Sequence, residues 1–396
     1  MHNLALAEDV VQDALCRALE VWKVRGIPEN PAAWLMKTAK NCALDVLRRE
    51  RTARIFASEI AQALEEQQDP GPTLDHLLNG AHFADDQLRL MFSCCHPKLP
   101  EEVQVSLILH ILCGFSIGEV SAAFLSNAEA IKKRISRGKA VLAKSGHLFE
   151  LKSSDFKNRL ASVHRALYLL FNEGYHGASP ESAVRVELCA EAVRLSQLLC
   201  ENKLTTTPAT HALLALLCFH AARLPARIDA SGDFTLLLSQ DRSQWDQGLI
   251  RRGQNLMERS AVGDELTAYH VEAAIAAVHA SASNGADTNW DTIVSFYDTL
   301  MLIRSSPVVA LNRALAISQR DGANRGLEEV RLIADQDRLK NYPFYWAALG
   351  ELELSLGHRQ AASQHFSQAL GVARNPIERR LLEKRIQGCS AGARPN

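Results

Sequence analysis

The chain has 396 residues, 47% of them hydrophobic and 22% charged, with a formal net charge of −1 at neutral pH, a composition that excludes disorder and leaves room for about two to four domains. Its nine cysteines are odd in number and contain no C-x-x-C, which argues against a disulfide framework or a zinc knuckle and fits a reducing cytoplasm. No basic-then-apolar leader opens the chain, and the most apolar run, His211 to Leu224, is too short and too punctuated by histidine to span a bilayer, so neither secretion nor a membrane is expected.

The charge is unevenly spread. Residues 1–55 carry nine basic and seven acidic side chains, residues 56–86 none and seven, and residues 87–146 eight and four, while the remainder balances at 27 of each. Two mildly basic modules on an acidic linker, EEQQDPGPTLDHLLNG, followed by a neutral globular body are the expected organisation.

In chain order, AEDVVQDALCRALEVW places Val10, Ala14, Leu15 and Ala18 on an apolar stripe and Glu8, Asp9, Gln12 and Asp13 on an acidic face, which suits a protein partner, or none, rather than DNA. PENPAAWLMKTAKNCALDVLRRERTAR predicts a second helix that buries Leu35, Ala39, Cys42 and Val46 and leaves Lys37, Lys40, Asn41 and Arg48 on the other side. Trp34 taken singly reads as core, but an aromatic beside cations also suits stacking on an unpaired base. Asn41 reads either as an exposed polar residue or as a hydrogen-bonding partner of a base edge.

The stretch SIGEVSAAFLSNAEAIKKRISRGKA contains two capping-box patterns, Ser116-x-x-Glu119 and Ser126-x-x-Glu129, which start two helices ten residues apart, the spacing of a helix-turn-helix. Ile117, Val120, Ser121 and Phe124 form the inward stripe of the first helix, and Ile131, Ile135, Gly138 and Leu142 that of the second. The opposite face of the second helix carries Glu129, Lys132, Lys133, Ser136 and Arg137, which can reach base edges or phosphates from a major groove. A solvated basic face on an unrelated bundle is the alternative; paired caps with matching apolar registers favour DNA. Gly138 costs about 1 kcal/mol against alanine in a helix and suits close packing on a neighbour.

Beyond residue 150 the pattern is amphipathic helices throughout, with alanine-rich faces such as HVEAAIAAVHASAS, and an all-α solenoid is expected. In YWAALGELELSLGHRQAASQHFSQALGVARNP, the residues Trp346, Leu349, Gly350, Gly357, Ala362, Phe366, Ala369 and Pro376 follow the tetratricopeptide order, with a weaker echo in SSPVVALNRALAISQRDGANRGLEEV. Adjacent Cys94 and Cys95 with His96, His110 and Cys113 make a poor tetrahedral set, so burial is expected in place of metal. Glu173, Tyr175 and His176 in FNEGYHG, or Asp233, Gln240, Asp241, Arg242 and Trp245, could form an acid/base set in a pocket; the Asp/Arg/Trp loop reads rather as a structural or interdomain contact, and His211, His220, His270 and His279 as satisfied helix residues. No nucleophile stands with an evident base, and no glycine loop cradles a phosphate. An enzyme is not expected, nor any cofactor.

Together these stretches carry a resemblance. AEDVVQDALCRALEVW followed by AWLMKTAKNCALDVLRRE resembles the second conserved domain of bacterial RNA polymerase sigma factors of the extracytoplasmic-function type. DDQLRLMFSCCHPKLPEEVQVSLILHILCGFSIGEVSAAFLSNAEAIKKRISRGKA resembles their fourth domain. ALYLLFNEGYHGASPESAVRVELCAEAVRL and LLSQDRSQWDQGLI resemble the helical extension of the subgroup with a tetratricopeptide-like C-terminal domain. The resemblance implies an all-α chain with a shortened region 2-like domain over residues 1–55, a linker over 56–86, a region 4-like helix-turn-helix over 87–148 and a regulatory helical domain over 155–396.

It also implies partners. Glu8, Asp9, Gln12 and Asp13 would dock on core RNA polymerase; Trp34, Lys37, Lys40, Asn41, Arg48 and Arg49 would engage melting promoter DNA; Glu129, Lys132, Lys133, Ser136 and Arg137 would read the distal duplex element. Intramolecular contact of the C-terminal domain with the sigma modules is a further expectation. The other classes left open are a DNA-binding regulator that no longer recruits polymerase and a helical ligand-binding or enzymatic module whose sigma-like part is vestigial.

Overall fold

Apolar residues recur at helical spacing along nearly the whole sequence, and the computed structural model, which describes residues 4–43, 85–144, 151–178, 184–229 and 231–391, is helical throughout. Among the described residues there is no strand beyond a single bridge between Ile228 and Phe234, so the all-α expectation holds. Val46, Arg48, Arg49 and nearly all of the acidic linker lie outside the described residues.

Helix α1 (Leu4–Arg25) and helix α2 (residues 31–43) form the amino-terminal module. Asn30 starts α2 by accepting the Ala33 N–H at 3.0 Å, with Pro31 in the first turn, where its missing N–H costs nothing. Trp22 and Trp34 meet edge to face at 5.4 Å across the pair. Val10, Ala14 and Ala18 are buried as expected, but Leu15 is 47% exposed. Leu15 lies about 100° round the helix from Ala14, and the buried stripe is built mainly of small residues spaced four apart.

Helices α3 (Asp86–Cys94), α4 (Glu101–Leu107, continued by a π turn over Ile108–Leu112), α5 (Ile117–Ala123) and α6 (Ala128–Ala143) form the next unit. The Ser116–Glu119 capping box is formed, the serine oxygen accepting the Glu119 N–H at 3.2 Å and the carboxylate accepting the Ser116 N–H at 2.7 Å. The second cap differs from expectation. Leu125 takes left-handed backbone, which places Asn127 rather than Ser126 at the start of α6, and Asn127 accepts the Ala130 N–H at 2.8 Å. Ile131, Ile135, Gly138 and Leu142 are all buried. A Cβ at Gly138 would stand 2.7 Å from Leu107 Cδ1 and 2.9 Å from Val103 Cγ1, so the glycine sets how closely α6 approaches α4.

This unit has no core to itself. Phe92, Met91, Val105, Ile108, Phe115 and Ile131 join one continuous cluster with Phe156, Leu160, Val163, Leu167 and Phe171 of α7 (Ser153–Tyr175). From α7 onward most helices pack chiefly on their neighbours in sequence, while the helix over Ala268–Ser281 packs most on the one over Pro208–Ala222. The helices after α7 are α8 (Val186–Glu201), α9 (Pro208–Ala222), α10 (Gln247–Ser260), α11 (Ala268–Ser281), α12 (Trp290–Ile303), α13 (Pro307–Asp321), α14 (Ala323–Arg331), α15 (Pro343–Ser355), α16 (Arg359–Gly371) and α17 (Pro376–Ala391). The segment Pro208–Ala226 is long and apolar enough to cross a membrane, yet 72% of its apolar window is buried inside the protein as the central core helix. Between α15 and α16 Ala362, Phe366 and Ala369 are fully buried, with Gly350 beneath the Phe366 ring. The array then returns on itself: Asn375 Nδ2 donates to Gly177 O at 2.9 Å, and Arg380 reaches Asp233 at 3.2 Å.

Replacing Gly138 with alanine gains about 1 kcal/mol of helix propensity but overpacks a contact worth about 1–3 kcal/mol. Equilibrium urea unfolding is expected to show a net loss of stability for Gly138→Ala; a gain would mean that α4 yields freely.

Candidate nucleic-acid interface

Helix α6 has one oily side and one wet side. Opposite the buried Ile131, Ile135, Gly138 and Leu142, the residues Glu129, Lys132, Lys133, Ser136 and Arg137 are exposed. Lys132 pairs with Glu129 one turn away at 3.1 Å, an exposed contact worth little in water. Two further cations of the same stretch are spent on the protein itself. Arg134 binds Glu102 at 3.0 Å and lies over the Phe124 ring, and Lys139 Nζ is 2.8 Å from both carboxylate oxygens of Glu8.

That last pair brings α1 against α6. Of the predicted acidic face, Asp9, Gln12 and Asp13 are exposed, whereas Glu8 is half-buried and committed to Lys139. Beside the exposed acids, Val11, Leu15 and Leu19 are 51%, 47% and 76% exposed, an apolar edge at four-residue spacing that sequence reasoning had assigned in part to the core. Mixed apolar and acidic surface of this kind suits a protein partner. On α2, Lys37, Lys40 and Asn41 are exposed while Cys42 is buried, and Trp34 is half-buried against Trp22.

The base of α5 is tied to the body by an ion bridge invisible in the sequence. Arg185 Nη2 lies 2.8 Å from Glu119 Oε1 and 2.8 Å from Glu173 Oε1, so one guanidinium spans the capping acid of α5 and the end of α7. Gly174 permits this: a Cβ there would stand 2.8 Å from Arg185 O. Burial pushes the Glu173 carboxyl up to about 7, against the pull of the Ala178 N–H and the Arg185 guanidinium, with Glu119 adding repulsion.

The cysteine–histidine set is internal packing. Burial pushes the Cys94 and Cys113 thiols up to about 12, and His110 Nδ1 bonds Phe115 O at 2.7 Å. Among the described residues no three His, Cys, Asp or Glu side chains come together in a metal-holding group.

The two polar motifs of the body, which looked separate, partly converge. Tyr175 and His176 meet Arg223 and Arg227, and Arg242 and Trp245 join them through Arg223. Asp233 goes elsewhere, to Arg380 and Lys384 of α17, and Asp241 caps its own turn at Ser243 N, 3.0 Å away. Sequence reasoning missed Arg223 and Arg227; the available signal was a pair of cations four apart closing the most apolar helix of the chain.

Comparison with known proteins bears on both halves. Residues 1–53 match the family described as sigma-70 region 2, and residues 159–261 match a family of unknown function, DUF6596. The chain is 36% identical over 391 residues to an uncharacterized protein of Rhizobium meliloti (strain 1021), an alignment covering 98% of this chain and 91% of that protein. No solved structure matches it.

The raised Glu173 carboxyl makes a pH prediction. The folded state holds that proton more tightly than the unfolded chain, so stability falls as pH rises from the ordinary 4.5 to about 7. Glu173→Gln keeps the neutral form throughout. Denaturant unfolding is expected to shift the stability gap in the variant's favour by about 1–3 kcal/mol across that window; a constant gap would place the titration elsewhere.

Proposed function

We propose that this chain, which belongs to the family of the Rhizobium meliloti protein and matches sigma-70 region 2 over residues 1–53, is a sigma factor of the extracytoplasmic-function type that binds core RNA polymerase and directs promoter-specific initiation, its fused helical body regulating it. On this reading Asp9, Gln12 and Asp13, with the apolar edge of α1, face the polymerase, and Glu8 joins them only when Lys139 releases it. Trp34, Lys37, Lys40 and Asn41, with Arg48 and Arg49, take the upstream element as it melts, where an aromatic and an amide can capture single bases. The exposed face of α6 reads the distal element as intact duplex, α5 and α6 forming a helix-turn-helix. The body is a tetratricopeptide-like array that works in the cytoplasm without catalysis of its own.

One observation carries the reading most: α6 buries four residues at helical spacing and exposes Lys132, Lys133 and Arg137 on the opposite side. A surface of three cations beside one acid suits a polyanion approached from outside.

Runoff transcription with purified core polymerase tests the function directly. Promoter-dependent transcripts are expected with the full chain, and DNA binding without transcripts would reduce it to a regulator that does not recruit polymerase. The triple variant K132A/K133A/R137A is expected to bind promoter duplex more weakly, with a salt dependence shallower by about one unit of slope per lost phosphate contact. An unchanged slope would remove α6 from the groove.

A further inference from the structure

We infer that the arginine cluster where α7 and α9 end is a binding site for a small dianion, a phosphate or a dicarboxylate.

Arg223, Arg227 and Arg242 are 8%, 8% and 9% exposed, and shared partners hold them together. Arg223 Nη2 donates to the Tyr175 hydroxyl at 2.8 Å, and the Arg227 guanidinium lies over the Tyr175 ring at 4.0 Å. Arg223 and Arg242 in turn share the Trp245 ring, at 5.9 Å and 5.0 Å.

Their remaining hydrogen-bond partners are neutral. Arg223 meets His220 Nδ1 at 3.0 Å, and Arg227 meets Tyr175 O at 2.9 Å and His176 Nδ1 at 2.6 Å. Arg242 donates to His279 O, Ala282 O and Thr288 Oγ1. Burial first, and then the arginines, hold His176 and His220 well below their ordinary value, so both rings are neutral acceptors.

Among the described residues no carboxylate bonds to any of the three guanidiniums. Asp287, whose charge reaches Arg242, is held by Asn284 at 2.6 Å and by Ser283. Burial opposes ionisation of Tyr175, but Arg223 and Arg227 outweigh it and hold the phenol below its usual value. A phenolate would offset one charge of three.

Burying an unpaired ion costs several kcal/mol, and guanidinium forks match the oxygen pairs of phosphate and carboxylate. Two further polar atoms there remain unspent: Trp245 Nε1 and His279 Nδ1 are buried with no hydrogen-bond partner. The stacked rings fix the guanidiniums before any ligand arrives.

Thermal unfolding and titration calorimetry of the full chain with sodium phosphate and sodium succinate, against sodium chloride at equal ionic strength, test the site. A saturable rise in melting temperature with phosphate or succinate, absent in chloride, is expected, and the arm that responds identifies the anion chemistry. Arg227→Met should weaken binding by at least about tenfold. Tyr175→Phe, which keeps every cation and removes the hydroxyl that Arg223 donates to, should bind at least as tightly as wild type. Identical melting in the three salts with no calorimetric signal would overturn the inference, as would binding that Arg227→Met leaves unchanged.

Discussion

The seam between Phe92 and Phe156, whose rings meet edge to face at 5.0 Å, is the contact on which the rest of the molecule depends. Helices α3 to α6 are too short a stretch to enclose their own apolar residues, and α7 supplies the missing wall. Polar contacts ring the same seam: Arg159 donates to Phe92 O at 3.0 Å, Arg165 binds Glu101 at 3.1 Å, and Arg194 binds Asp85 at 2.8 Å. Cutting the chain at the start of α7 would therefore strip Phe156, Leu160 and Val163 from the core of the preceding unit as well as removing the body.

This mounting explains the charge of α6. A helix with five cations in nine residues looks uniformly basic in sequence, yet two of the five hold the fold together. Arg134 fastens α6 to α4, and Lys139 fastens it to α1. What remains for an outside polyanion is a compact patch, Lys132, Lys133 and Arg137, within the first ten residues of the helix. The Glu8–Lys139 pair is about one-third exposed, so its contribution is small in water, and it sets position more than stability.

Local features were legible in the sequence because local rules produce them. The Ser116–Glu119 box, the stripe from Ile131 to Leu142, and the order of Trp346, Gly350, Ala362 and Phe366 each follow from helical period and end chemistry. Leu15 was misplaced because a short window cannot say how wide a buried face is. Ser126 and Asn127 are equally good caps, and only the left-handed turn at Leu125 decides between them. Arg185, Arg223 and Arg227 were missed for a different reason. Their partners lie between 3 and 66 residues away along the chain, and nothing in spacing or composition foretells the longer of those pairings. The motifs FNEGYHG and QDRSQW were visible as unusual polar stretches, but only the packing of α7 on α9 and α9 on α10 brings Tyr175 and Trp245 to one cluster.

If α6 and α7 share one core, loosening α7 loosens α6. Amide hydrogen exchange on wild type and Phe156→Ala, a truncation that costs about 3–5 kcal/mol in a packed core, measures this directly. Protection of the α6 amides between Ile131 and Leu142 is predicted to fall together with that of α7. Undiminished protection in α6 alongside a loosened α7 would show that α6 stands on a core of its own.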